Sequence, residues 1–349
     1  MENIPFISVI CPVYNEEAYI QACMDSVEAQ TYPKNRMEVF FVDGHSTDQT
    51  KKIISCRIEG QSDWHLLDNP FQTVPYALNM AILQSKGEVI IRIDAHSRYP
   101  NDYLAVLVEQ LRILKADNVG GVWNTLPDGD STRALAIAIA CSHKFGVGTA
   151  LYKTGTDKVC QTDTVPYGCF PKDVFERLGL FDEDLARNQD DEFNGRITQA
   201  GGRIYVLPQV VIDYYARRDL KRMFKTYFQY GLFKPLVNKK LKKPSTWRQF
   251  APVLFVLGLV AGLPLAVFFP LVRYLYLSAV LLYLSLAFYL GIRQAMKKRR
   301  FGLTVYLPWA FFLLHFSYGL GYWTGMVKLL TGKKFRVRSS RENSPADHP

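Results

Sequence analysis

No GxGxxG and no GxxxxGK[ST] stretch occurs in the sequence, so neither a dinucleotide-binding turn nor a P-loop supplies a phosphate cradle. The six cysteines (Cys11, Cys23, Cys56, Cys141, Cys160, Cys169) show no CxxC or CxH spacing, which argues for free thiols and against a zinc site or disulfide framework. Internal repeats and low-complexity segments are absent. Acid is missing from a long C-terminal tract: residues 293–341 carry 11 Lys and Arg but no Asp or Glu. Residues 217–248 hold 11 basic residues against one acid, whereas residues 1–216 hold 19 basic and 29 acidic. The net +10 thus flanks apolar segments rather than covering the globular part, which points to anionic lipid headgroups and away from nucleic acid. The first apolar run is cut by Cys11-Pro-Val-Tyr-Asn-Glu-Glu17, so no signal peptide is expected and the globular part is expected to stay in the cytosol.

A chain of 349 residues can bury one large core or two ordinary ones. Its organising stretch is Glu88-Val-Ile-Ile-Arg-Ile-Asp94-Ala-His96, a buried strand delivering an acid to its carboxyl end, where open α/β sheets bind ligands. Asp94 and His96, two residues apart, can offer an oxygen and an imidazole to one divalent ion, Mn²⁺ or Mg²⁺, carrying a diphosphate. Around it the pattern predicts a strand over Phe6–Cys11 ended by Pro12, a helix from Asn15 through Ala29, and a strand over Met37–Asp43. Ser46 or Thr47 is expected to cap the next helix, followed by a strand near Trp64–Leu67 and a helix opened by Pro75. Leu104, Leu107, Val108, Leu111 and Leu114 mark a further amphipathic helix. This alternation predicts a mainly parallel sheet.

Past Ala134 the pattern is less regular, with four acids close together in Gln189-Asp190-Asp191-Glu192 and the residues before it. Such a cluster is either a solvated helix N-terminus or a source of a general base. Residues 218–232 place Leu220, Met223, Phe224, Tyr227 and Phe228 on one helical face and Arg218, Lys221, Arg222 and Lys225 on the other, which fits a helix lying in the membrane interface or one packed on the globular part. Apolar runs near 250–269, 271–292 and 304–326 are each long enough to span a bilayer, although a third span sets the tail's basic residues against the positive-inside rule. The expected division is 1–216 globular, 217–248 basic helix and linker, 249–331 membrane, and 332–349 basic polar tail.

Val9-Ile-Cys-Pro-Val-Tyr-Asn-Glu-Glu17, Phe41-Val-Asp-Gly-His-Ser-Thr-Asp48, Asn69–Asn79 and Gly87–His96 occur in the order of the signatures of family 2 glycosyltransferases, and residues 5–235 resemble that family. Within it the chain is most similar to the membrane-bound type of succinoglycan and exopolysaccharide synthesis. The resemblance implies an α/β GT-A fold, a Rossmann-like, mainly parallel sheet. It also implies an inverting transfer of a sugar from a nucleotide sugar, UDP-hexose foremost, to a polyprenyl-diphosphate-linked glycan at the cytosolic face of the cell membrane. Alternatives are transfer to polyprenyl phosphate itself, or an inactive scaffold working with other polysaccharide-assembly proteins. By motif, Pro12, Tyr14, Glu16, Asp43, Asn79 and Asp94 would bind the nucleotide sugar, Asp94 and His96 the metal, and Asp190 would be the base with Asp191 in reserve. Gln229, Lys234 and Arg196 would meet the acceptor or diphosphate. His96 stands where the family's second acid is usual, Gln189 where its Glu is usual, and the arginine of the processive members' motif is absent after Gln229.

Overall fold

The computed structural model describes residues 4–335. Its first part alternates β1 (Ile7–Val13), α1 (Ile20–Glu28), β2 (Met37–Asp43), α2 (Thr50–Ile58), β3 (Trp64–Asp68), α3 (Val74–Gln84) and β4 (Val89–Arg92). A short β5 (Ser97–Arg98), α4 (Tyr103–Ile113) and β6 (Asn118–Leu126) follow. Next come α5 (Thr132–Ser142), α6 (Lys144–Val147), α7 (Leu151–Thr154), β7 (Cys160–Gln161), β8 (Cys169–Pro171), α8 (Asp173–Leu178), α9 (Gln189–Gln199) and β9 (Ile204–Tyr215). Four long helices close the chain: α10 (Leu220–Leu241), α11 (Phe250–Phe268), α12 (Pro270–Lys298) and α13 (Leu303–Leu330).

Among the described residues the strands form one sheet in the order β3-β2-β1-β4-β8-β6-β9-β5, with β7 added on β9. The expected parallel pairing holds from β3 to β4. It breaks at β8, which runs antiparallel to both β4 and β6, so the sheet is mixed. Strand alternation sorts the core into two layers. Val9, Cys11, Val39, Phe41 and Ile91 face α1 and α4, while Ile10, Phe40, Val42 and Ile90 face α3, α8 and α9. Every residue of β2 is buried, which explains why its apolar run is continuous rather than alternating.

Three local expectations fail for identifiable reasons. Pro12 does not end β1: Ile93 donates its amide to Ile10, so Pro12, two residues on, turns its missing N–H to the same side, past the last paired residue of β4. The helix starts at Ile20 rather than Asn15, because Asn15 is left-handed (φ 54°) and the amides of Asn15, Glu16 and Glu17 donate to Ser46, Thr50 and Asp48 across the neighbouring loop. Ser46 is thereby used between loops and caps no helix.

The C-terminal helices are long and apolar enough to cross a membrane, over Trp247–Phe268, Pro270–Lys298 and Leu303–Leu330. Leu254, Val260, Leu271, Leu281 and Leu282 are among their exposed side chains, which suits hydrocarbon rather than water. The third is one unbroken helix, and nearly half its apolar stretch is covered by protein. The covering element is α10. A Cβ added to Gly231 would overlap the Tyr318 carbonyl, one on Gly321 that of Phe228, and one on Gly325 that of Leu232, so the two helices touch backbone to backbone. The basic helix packs on α13 along one face: Met223 and Tyr227 are buried with Leu307, Phe311 and Leu314, while Lys221, Arg222 and Lys225 stay exposed. Arg336, Arg338 and Arg341 of the basic tail lie outside the described residues.

Candidate active site

The loops after β1 and β2 are laced together at the carboxyl edge of the sheet. Asn15 Oδ1 accepts from the Thr47 amide at 2.8 Å, and the buried Asp43 carboxylate accepts from the Ser46 amide at 3.1 and 3.2 Å. Pro12 lies in register with Val42, so Pro12, Tyr14, Glu16 and Asp43 gather at one place although they come from two loops.

After β4 the chain turns, and the Asp94 amide donates to the Tyr99 hydroxyl at 2.7 Å. The His96 imidazole then comes back against its own loop: Nδ1 is 2.8 Å from Asp94 Oδ1 and 3.2 Å from Glu16 Oε1. Burial disfavours the imidazolium, but the Asp94 and Glu16 carboxylates outweigh it and raise the His96 pKa to about 10. Burial likewise works against the Asp94 anion, and the facing His96, with help from Arg92, holds it well below the usual carboxylate range. Among the described residues no group of three or more His, Cys, Asp or Glu side chains could hold a metal ion by itself.

Asp190 and Asp191 lie in the first turn of α9, which begins at Gln189 directly after Asn188 in a left-handed conformation (φ 62°). Each meets a cation from a different element. Arg92, the last residue of the apolar strand β4, directs Nη1 at both Asp190 oxygens. Lys234 of α10 donates to Asp191 at 2.6 Å, and both lysine and arginine are buried. Asp191 is thus paired rather than left to solvent, because α10 covers the side of the helix start on which it lies.

One cavity of about 620 Å³ is lined by Asp94, His96, Asp190, Asp191, Lys234 and Arg92, and also by Phe255, Tyr283, Leu314 and Tyr318 of the apolar helices. Seven Lys or Arg side chains line it against three Asp, an excess that suits a polyanionic ligand. Of the named candidates, Pro12, Tyr14, Glu16 and Asp43 stand at the ends of β1 and β2 outside this lining, with Glu16 meeting it through His96, and Asn79, Arg196 and Gln229 also lie outside it. Asn79 is buried on α3, where its side-chain amide holds both the amide and carbonyl of Phe181. Arg196 is taken up by Glu192 at 2.8 Å and by the carbonyls of Leu178 and Leu180, which tie α9 to the loop before it. Gln229 sits on α10 outside the lining. Arg92 went unmarked in the sequence, although a lone charge inside an apolar strand was the available signal.

The family model for glycosyl transferase family 2 matches residues 8–179. Glycosyltransferase AglE of Haloferax volcanii is 30% identical over 73% of this chain and 81% of its own length. The dolichyl N-acetyl-α-D-glucosaminyl phosphate 3-β-D-2,3-diacetamido-2,3-dideoxy-β-D-glucuronosyltransferase of Methanococcus voltae is 29% identical over 93% of this chain and 98% of its own. Succinoglycan biosynthesis protein ExoA of Rhizobium meliloti is 28% identical over 91% and 94%. In structure, a mannosyltransferase of Pyrobaculum calidifontis solved with GDP-mannose and Mn²⁺ superposes with TM-score 0.61 at 22% identity, covering 95% of this chain and 89% of that one. The fold is GT-A, and the chain is a glycosyltransferase belonging to family 2.

Proposed function

We propose that this enzyme moves a hexose, with inversion, from a nucleotide sugar to a glycan carried on a polyprenyl phosphate or diphosphate, on the cytosolic face of the cell membrane. UDP-hexose is the donor class and a diphosphate-linked oligosaccharide the principal acceptor. The observation carrying this reading is one cavity whose walls combine Asp94 and His96, the acid pair Asp190 and Asp191, and side chains of the apolar helices. The Methanococcus voltae relative is named for a dolichyl-phosphate-linked acceptor and the Rhizobium meliloti relative for succinoglycan synthesis, which supports a lipid-linked acceptor here. Convergence of these groups on one cavity favours an active enzyme over a scaffold. The reading divides the chain into a catalytic part to residue 216, a linking helix to 248 and a membrane part to 331.

In this reading Pro12, Tyr14, Glu16 and Asp43 hold the nucleoside at the ends of β1 and β2. Asp190 takes the proton of the acceptor hydroxyl as its oxygen attacks the anomeric carbon, and Arg92 fixes the orientation of that carboxylate. A single base without a carboxylate nucleophile suits inversion. Asp94 and His96 would hold the divalent metal. One carboxylate and one imidazole, whose Nε2 makes no hydrogen bond among the described residues, fit Mn²⁺ or Mg²⁺ ions that take their remaining ligands from phosphate and water. When bound, the ion supplies charge neutralisation to the departing diphosphate.

The test is transfer by the full-length protein in detergent or nanodiscs from UDP- and GDP-sugars to a lipid extract, with and without a chelator. A labelled lipid-linked product of inverted anomeric configuration is expected. Retained configuration, or transfer only to water-soluble acceptors, refutes the reading.

A further inference from the structure

Three of the seven cations in the cavity wall are answered by carboxylates of the protein, while Lys144, Lys153, Arg187 and Arg217 make no ion pair among the described residues. Arg92 holds Asp190, Lys234 holds Asp191, and Arg248 holds Asp163 at 2.6 Å. Lys153 of α7 differs. Its Nζ lies 5.5 Å from the ring centroid of Trp123, 5.6 Å from Tyr152, 5.4 Å from Tyr227 and 5.7 Å from Tyr230, and among the described residues it meets no carboxylate or hydrogen-bond acceptor.

Aromatic faces attract an ammonium through their quadrupoles, so the four rings favour its charged form and its position. They offer no lone pairs in the ring plane's stead, and the three N–H donors of the lysine stay without acceptors. The cage therefore fixes a cation without neutralising it. It is assembled from distant segments, with Trp123 from β6, Tyr152 from beside the lysine, and Tyr227 and Tyr230 from α10. It is also tied to both ends of the chemistry. Trp123 stacks on Tyr214 with centroids 4.1 Å apart and planes 9° apart, and Tyr214 lies 6.0 Å from His96. On the other side the Tyr230 carbonyl accepts from Asn188 at 2.8 Å, two residues before Asp190. Two rings thus separate the lysine from the donor-side loop, while the cavity it lines continues to Phe255 and Leu314.

We propose that Lys153, fixed by Trp123, Tyr152, Tyr227 and Tyr230, is the subsite for the phosphate or diphosphate that joins the acceptor glycan to its prenyl chain. The proposal rests on the lipid-linked acceptor reading above and assigns it a residue. A phosphate oxygen supplies the acceptors the ammonium lacks. The prenyl chain leaves towards the apolar helices, and the sugar lies towards Asp190.

The experiment measures equilibrium binding of geranylgeranyl phosphate, geranylgeranyl diphosphate, inorganic pyrophosphate and UDP to the full-length protein, as wild type, Lys153→Met and Lys153→Arg. Loss of one charge-assisted contact is expected to weaken both prenyl ligands about 10-fold or more in Lys153→Met. The UDP affinity is expected to shift far less, and Lys153→Arg is expected to keep most prenyl binding because it retains charge and ring stacking. Unchanged prenyl binding in Lys153→Met overturns the subsite alone. An equal loss for UDP places the lysine in the donor site and overturns it too. Pyrophosphate bound as tightly as the prenyl ligands, with the same loss, makes the ligand a free diphosphate and overturns the lipid assignment. A wild type that binds neither prenyl ligand refutes the lipid-linked reading as well. Should Lys153→Met not fold, Tyr230→Leu opens the cage with the lysine intact, and prenyl binding undiminished in that variant overturns the proposal.

Discussion

Asp190→Asn separates the two acids in the first turn of α9. The amide keeps an oxygen for Arg92 Nη1, so the side chain is expected to stay in place while losing its capacity to accept a proton. General base catalysis contributes roughly 10² to 10⁴ in rate, or about 2.7–5.5 kcal/mol of barrier, and kcat is expected to fall by that factor. The fold pays a smaller penalty. Breaking a buried ion pair costs about 3–5 kcal/mol, but the Asp190 side chain is 34% exposed against 9% for Arg92, and the amide still accepts a hydrogen bond. After discounting for solvent screening, the expected loss of stability is about 1–2 kcal/mol. Asp191→Asn removes the partner of Lys234 instead and is expected to lower kcat less than about 10-fold, below the range of a lost base. Single-turnover transfer rates, read beside UDP affinity and thermal melting, distinguish the two variants. If Asp191→Asn is the slower enzyme, or if Asp190→Asn keeps its chemical rate, Asp190 is not the base.

Other measurements probe the rest of the framework. Because the His96 pKa rises from 6.5 to about 10 on folding, its pairing stabilises the fold fully below pH 6.5 and ceases to do so as the pH rises through 10. In metal-free protein the melting-temperature advantage of wild type over His96→Gln should shrink across that window, and a flat difference contradicts the pairing. Gly231→Val and Gly321→Val each force α10 and α13 apart, with an expected loss above about 2 kcal/mol, since overpacking of this kind meets backbone rather than a movable side chain. Wild-type melting in either variant would refute the backbone contact. A chain cut after residue 248 exposes the buried seam of α10 and is expected to aggregate or lose helix content by circular dichroism; a monomeric, fully helical fragment would show that α13 is dispensable to α10.

Local pattern was readable where one element decides its own fate. The β2 bounds, the Pro75 helix start and the three apolar helices follow from apolar runs, a proline at a first turn and bilayer length. The same runs said nothing about partners. Asn79 falls inside a matching motif, yet only the tertiary fold shows its amide spent on Phe181, 102 residues away. Ser46 has the chemistry of a helix cap, but the left-handed Asn15 brings a competing amide to it. The Lys153 cage draws its rings from three separated segments, and no spacing along the chain encodes such a meeting. Arg92 and Asp190 are likewise 98 positions apart, and their pairing depends on β4 and the start of α9 sharing one edge of the sheet.

The glycine contacts between α10 and α13 leave no cushion of side chains between a helix long and apolar enough to cross a membrane and the helix that carries Lys234. A long apolar helix answers a thicker or thinner bilayer by changing its tilt. Because α10 and α13 touch without such a cushion, a change of tilt in α13 is expected to reach α10, and with it Lys234 and its contact to Asp191.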